Sequence, residues 1–385
     1  MKKLTTKKKA ALTALALMST GIITVSSTSN YTYALNPVEA KQTTAATTTS
    51  PVKNNLPNIK ILATGGTIAG TGSTSTQTTG YQAGVLTPDQ LIEAVPDLKN
   101  TANISTEQVA RIDSGTSNTN AVMVKLAKEV QKELDDPKCD GIVITHGTDT
   151  MEETAYFLNL TVHSGKPIIM VGSMRPSTSL SADGPLNLYN AVVLAGSKEA
   201  RGKGVLISMN GKIGSARDIF KTNTTDVDAF DNPELGYLGY MQGDKPHFYN
   251  LPIKKHTTES EFDIRHINED NLPRVDIVYS HANDDRVMVD AAVAAGAKGI
   301  IHAGTGNGSI HEKTLPGLQD AVKKGIAVVR DTRVPEGMVT PEQIDVDNHF
   351  INSDNINPQK ARILLMLALT KTEDPNKIQE FFNKY

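Results

Sequence analysis

The chain has 385 residues, 39 Lys+Arg against 42 Asp+Glu, a single Cys and no Trp. That length accommodates two domains of about 150 residues each, and one thiol excludes a small scaffold held by internal disulfides. Removing the five lysines of residues 1–34, a stretch without acids, moves the formal charge from −3 to −8, which leaves no basic field for nucleic acid.

Residues 1–34 read as a cleavable signal peptide. A Lys-rich start runs into Ala10 to Val25, which is too short and too polar for a membrane span, and Thr32-Tyr33-Ala34 supplies a small-x-small cleavage site, with Val38-Glu39-Ala40 as a second candidate. Cleavage after Ala34 predicts a secreted or extracytoplasmic protein with no membrane contact after signal removal. Residues 35–57, rich in Thr, Ser, Ala, Asn and Pro, have the composition of a disordered tether.

Short β-branched runs then alternate with helical patterns. Strands are predicted at Ile59 to Ala63, Gly141 to Thr145, Pro167 to Val171, Gly204 to Ser208, Val275 to Tyr279, Gly299 to His302 and Ile326 to Arg330. Helix starts are legible at Thr87-Pro88-Asp89 and Thr150, and Val122, Leu126, Val130 and Leu134 recur on one helical face. The alternation predicts two doubly wound α/β domains with mainly parallel sheets: a larger N-terminal one at 58–250 and a smaller C-terminal one at 272–385. The polar stretch 251–271 links them.

Ligands of open parallel sheets bind beyond the carboxyl ends of strands, so the polar residues after each run are the candidates. After the first run comes Thr64-Gly65-Gly66-Thr67-Ile68-Ala69-Gly70, a turn that presents the Thr67 hydroxyl; a loop from Gly70 to Gly84 follows and carries Tyr81. No Gly-Lys-Ser/Thr follows, which excludes a phosphate cradle. After the second run, Thr148 and Asp149 place a hydroxyl beside a carboxylate, or else one of them caps the following helix. His146, inside the strand ending, suits a satisfied core histidine. Lys221 lies among hydroxyls and amides in Phe220 to Asp226, and beside a carboxylate it would serve as a proton acceptor or polarise a hydroxyl. Nine histidines without paired ligand spacing and a lone cysteine, Cys139, read as structural, lead us to expect no metal. In the C-terminal domain, Ala303 to Gly308 reads as a tight loop presenting Asn307.

Thr-Gly-Gly-Thr-Ile-Ala-Gly at 64–70 and His-Gly-Thr-Asp-Thr at 146–150, in that order, resemble the two signatures of the bacterial L-asparaginases. Gly172 to Pro176, Ser181 to Leu188, Lys221 to Asp226 and Asn357 to Arg362 resemble further family segments, and with its amino-terminal segment the chain is similar to the secreted type. The resemblance implies hydrolysis of the side-chain amide of L-asparagine, without metal or cofactor, by a homotetramer whose active sites lie at an intimate dimer interface. It implies Thr67 as nucleophile, Tyr81 as its partner on a lid, and Thr148, Asp149 and Lys221 as a second catalytic group. It further implies substrate binding by Gly66, Ser114, Gly115, Thr148, Asp149, Ser173 and Asn307, the last from a neighbouring subunit. An inter-subunit acid is expected among Glu342, Asp345 and Asp347. Gly115 departs from the Gln that relatives with appreciable glutaminase activity tend to carry. A broad glutaminase-asparaginase and an exported amino-acid-binding protein are the rival readings.

Overall fold

The computed structural model describes residues 56–385; the predicted signal peptide and nearly all of the predicted tether lie outside the described residues. The first part of the chain forms β1 (Asn58–Gly65), α1 (Pro88–Glu93), β2 (Asn103–Ile112), α2 (Asn120–Asp135), β3 (Gly141–Thr145), α3 (Met151–Thr161), β4 (Ile168–Val171), α4 (Gly184–Gly196) and β5 (Val205–Met209). Short strands follow: β6 (Lys212–Ser215), β7 (Phe220–Lys221), β8 (Phe230–Asp231), β9 (Gly239–Gln242) and β10 (Lys245–Phe248). The second part forms β11 (Val275–Tyr279), α5 (Val287–Ala294), β12 (Gly299–Gly304), α6 (Leu315–Lys323), β13 (Ala327–Thr332), α7 (Gln343–Asn348), β14 (Ile351–Asn352), α8 (Pro358–Ala368) and α9 (Pro375–Lys384).

All seven predicted strands are present. The first sheet runs β10-β9-β6-β5-β4-β3-β1-β2, parallel from β5 to β2 and antiparallel through β6, β9 and β10. Its central strands are apolar on both faces because helices cover both. Leu62, Ile142, Ile144, Ile168 and Met170 face α2 and α3, whereas Ile59, Ile61, Val143, Ile169 and Val171 face α4. Strand β2 escapes sequence reading because it is the sheet's edge: Asn-Ile-Ser-Thr-Glu-Gln-Val-Ala-Arg-Ile is half exposed and lacks an apolar run.

The feature that positions the site is the reversal at β1, which lies between β2 and β3. The chain leaves β1 to one side and returns to the other, so the loops after β1 and β3 diverge and leave a crevice at their carboxyl ends. The second sheet, β11-β12-β13-β14, is wholly parallel and advances in one direction without such a reversal. Within 251–271, single helical turns at Thr257–Glu259 and Ile264–His266 flank Phe262, whose ring lies 5.1 Å from Phe381 and 5.4 Å from Tyr385. One apolar core thus continues from α2 and α3 through this segment to α8 and α9.

Asp331, at the end of β13, is buried; Thr332 N donates to its Oδ1 at 2.6 Å, while Oδ2 has no hydrogen bond among the described residues. Burial pushes its carboxyl up from 3.8 to about 7. Between those values the folded state holds a proton that the unfolded chain has released, so this group's stabilising contribution is complete at acid pH and lost as pH rises to about 7. Asp331→Asn, neutral throughout, is therefore expected to gain stability over wild type as pH increases, on the order of 1.4 kcal/mol per pH unit within that window. Paired melting curves from pH 4.5 to 8 check this; a constant difference in Tm would contradict it.

Candidate active site

Gly65 and Gly66 adopt φ of 107° and 80°, the left-handed region that glycine tolerates. A Cβ on Gly66 would lie 2.3 Å from the Gly147 backbone, and one on Gly147 would lie 2.3 Å from Ser114 Oγ. The turns after β1, β2 and β3 therefore meet at van der Waals limits, which only residues without side chains permit. This brings together Thr67, Ser114, Thr148 and Asp149 in the crevice.

Thr67 opens a single helical turn, is 7% exposed, and shares a 2.7 Å hydrogen bond between its Oγ1 and Tyr81 Oη. The loop carrying Tyr81 is folded down: Thr71 and Gln82 exchange backbone hydrogen bonds, and Gly84 N donates to Gly66 O at 3.1 Å. It is also pinned to the turn after β4, where Gly72 N donates to Thr178 Oγ1, Ser177 N to Gly70 O and Leu180 N to Ser75 O. Asp183 orders that turn by accepting from the backbone of Met174 and Arg175. Burial, reinforced by the charges of Asp149, Asp113 and Asp183, raises the Tyr81 phenol above its ordinary value and keeps it protonated at neutral pH.

On the other wall, Lys221 Nζ donates to Thr148 Oγ1 at 3.0 Å and pairs with Asp149 Oδ1 at 2.6 Å. Neither Thr148 nor Asp149 caps α3; Thr150 occupies that position, and its hydroxyl donates to Ser114 O. Both residues are thus released for chemistry. Asp149 N donates to the buried Ser114 Oγ at 3.2 Å. The Asp149 side chain is 55% exposed, and its Oδ2 lies toward Gly115.

His146 is buried, but only half satisfied: Nδ1 meets Gly147 O at 2.7 Å while Nε2 has no partner. Burial lowers its pKa to about 4, so it is neutral at pH 7. Cys139 is buried too, and burial raises its thiol. Ser173 is wholly buried and donates to Arg175 O, so its hydroxyl serves its own turn rather than the Thr67 or Thr148 groups.

Asn307 stands apart from this cluster. Its Nδ2 donates to Thr340 Oγ1 and Glu342 Oε1, and its Oδ1 accepts from Thr340 N, all within the second domain. The three expected acids separate cleanly. Asp345 is buried against Arg330, with contacts of 2.5 and 2.6 Å, and Asp347 accepts from Gln343. Glu342 alone pairs with Asn307. Sequence reading overlooked Glu152, Asn357 and Lys360, which meet behind the site; the signal available was a lysine two residues past the Asn357-Pro358 cap, at the head of the apolar run of α8.

A buried threonine hydroxyl bonded to a phenol, beside a second threonine bonded to a lysine that pairs with a carboxylate, is a constellation suited to a hydrolase. The chain belongs to the asparaginase/glutaminase family: residues 58–254 match "Asparaginase, N-terminal" and residues 274–382 match "Glutaminase/Asparaginase C-terminal domain". It is 53% identical to L-asparaginase 2 of Bacillus subtilis over 351 residues, covering 91% of this chain and 92% of that one. With L-asparaginase 2 of Escherichia coli it shares 51% identity over 332 residues, covering 86% and 94%. The solved structure of a probable cytoplasmic L-asparaginase from Campylobacter jejuni superposes with a TM-score of 0.82 at 52% identity, covering 86% of this chain and all of that one. That likeness corrects the expected secreted or extracytoplasmic location: the matched enzyme is described as cytoplasmic, and the residues on which cleavage was expected, 1–34, lie outside the described residues.

Proposed function

We propose that this chain hydrolyses the side-chain amide of L-asparagine to L-aspartate and ammonia, with Thr67 as nucleophile. The observation that carries the reading is the pair of bonded hydroxyls across the β1/β3 crevice: Thr67 on Tyr81, and Thr148 on Lys221, whose ammonium also pairs with Asp149. Thr67 Oγ1 attacks the amide carbon while its proton passes through the Tyr81 hydroxyl toward the departing ammonia. Water then attacks the resulting ester, releasing aspartate and restoring the Thr67 hydroxyl. Thr148, polarised by Lys221, orients the water or the amide oxygen during these steps.

Ser114 Oγ, free to donate its proton, suits the substrate α-carboxylate. Asp149 Oδ2, without a hydrogen bond among the described residues, suits the α-ammonium. The Asn307–Glu342 pair, whose hydrogen bonds stay within the second domain, would complete the site of a neighbouring subunit in a homotetramer. Adding asparagine to the purified protein and assaying ammonia tests the reading. Binding without release would favour a solute-binding protein instead.

A further inference from the structure

The lysine of the second catalytic group stands on an insecure support. Strand β7 is two residues long and pairs only with β8, in a separate two-stranded sheet. The main sheet therefore does not fix Lys221 opposite Thr148 and Asp149. Besides local bonds to Ser215 and Asn232, the preceding segment is held from the second domain: Lys360, on α8, is 1% exposed, and its Nζ donates to the carbonyls of Arg217 at 2.8 Å and Ile219 at 2.6 Å.

The same ammonium faces Glu152 Oε2 at 3.8 Å. Glu152 sits in the first turn of α3, four residues past Thr148 and three past Asp149. Asn357, the cap of α8, joins the two sides: its Oδ1 accepts from Lys360 N at 3.1 Å and its Nδ2 donates to Glu152 Oε2 at 3.0 Å. Two buried carbonyls and a buried carboxylate thus converge on one three-donor group.

We propose that Lys360 is a positioning residue for the reaction: its ammonium clamps the segment that carries Lys221 to the helix that opens behind Thr148 and Asp149. This rests on the amidase reading given above. The clamp has two arms, and both lead to the same contact. Loss of the carbonyl arm loosens the backbone two residues before Lys221. Loss of the carboxylate arm loosens the turn on which Thr148 and Asp149 ride. Burial lowers the Lys360 ammonium to about 8, against the opposing pull of Glu152 and Asp218, so it still carries its charge and all three donors at pH 7.

A purely structural ion pair would stabilise the domain contact without bearing on chemistry, and a double variant separates the two. Lys360→Met is expected to lower both Tm and kcat, because it leaves Glu152 without its counter-ion in a site where burial already disfavours the carboxylate, as well as the carbonyls unheld. Among folded molecules kcat should fall about tenfold or more while KM for asparagine stays within about threefold, as for a small misplacement of a catalytic group. Glu152→Gln combined with Lys360→Met removes the unpaired charge, so Tm should recover while kcat does not. Recovery of kcat together with Tm would overturn the proposal, as would an unchanged kcat per folded molecule in Lys360→Met.

Should Lys360→Met fail to fold, Glu152→Gln alone decides. It keeps an acceptor for Asn357 and is expected to reduce kcat by about threefold or more; an unaltered kcat refutes the clamp. Arg362→Leu is the control, since Arg362 bridges the same two helices through Glu153 at 3.8 Å but touches neither carbonyl. A fall in its kcat equal to that of Glu152→Gln would make the effect one of general domain contact and count against the proposal. Wild-type ammonia release tests the amidase reading, and the variant ratios test the clamp, so the two fail separately.

Discussion

Thr67→Ala and Thr148→Ala are each expected to lower kcat by roughly 10³-fold or more, and Lys221→Met to be nearly as damaging. The two threonines sit on opposite walls of the crevice with different partners, so neither hydroxyl substitutes for the other. Thr67 loses its bond to Tyr81, and Thr148 its bond to Lys221. The fold should survive, because both residues lie in turns beyond the strands and leave the two cores flanking the sheet intact. Thr67→Val and Thr148→Val, which keep side-chain volume, serve as the stability check. Retention of more than a few per cent of activity by either Ala variant would remove its assigned role.

A covalent intermediate distinguishes the two hydroxyls. With a slowly released acyl substrate, an adduct of the acyl mass should accumulate in Lys221→Met and be absent in Thr67→Ala. An adduct persisting in Thr67→Ala would move the nucleophile to Thr148. Tyr81→Phe belongs to the same series: the protonated phenol is the only group bonded to Thr67 Oγ1 among the described residues, so its loss should reduce kcat more than KM.

What the sequence revealed and what it concealed have a common physical basis. Six of the seven predicted strands lie inside their sheets and were legible because burial on both faces demands unbroken apolar runs; the seventh, β11, is an edge strand that still carries one, and the turns after β1 and β3 were legible because they follow such runs with glycine, hydroxyl and carboxylate. Strand β2 and the antiparallel strands β6 to β10 carry no comparable run, being at the edge or only two to four residues long. Ser114 and Gly115 therefore entered through resemblance alone, since the strand that presents them was not visible. The alternatives at Thr148 and Asp149, cap or chemistry, look identical in sequence; only the placement of Thr150 as cap resolves them. Lys360 was hidden for a different reason: its meaning lies in carbonyls more than a hundred residues away.

Selectivity for asparagine over glutamine should exceed roughly two orders of magnitude in kcat/KM, at the upper end of methylene discrimination. Glutamine is one methylene longer, so its amide reaches Thr67 only if its α-carboxylate and α-ammonium shift against Ser114 and Asp149. A side chain at 115 able to hydrogen-bond would support that shifted pose, and Gly115 has none. The structure adds a constraint: a Cβ at 115 would lie 2.7 Å from Asp149 Oδ2, while Oδ1 is held by Lys221 at 2.6 Å. The obstacle is the end of a half-exposed side chain rather than backbone, so a modest rotation of the carboxylate relieves it. Gly115→Ala, which brings the crowding without an amide, should lose asparagine activity and gain none on glutamine. Gly115→Gln should suffer the same loss on asparagine but raise the glutamine-to-asparagine ratio of kcat/KM. Comparable wild-type rates on both amides would refute the selectivity, and equal ratios in Gly115→Ala and Gly115→Gln would show that the added amide does not determine it.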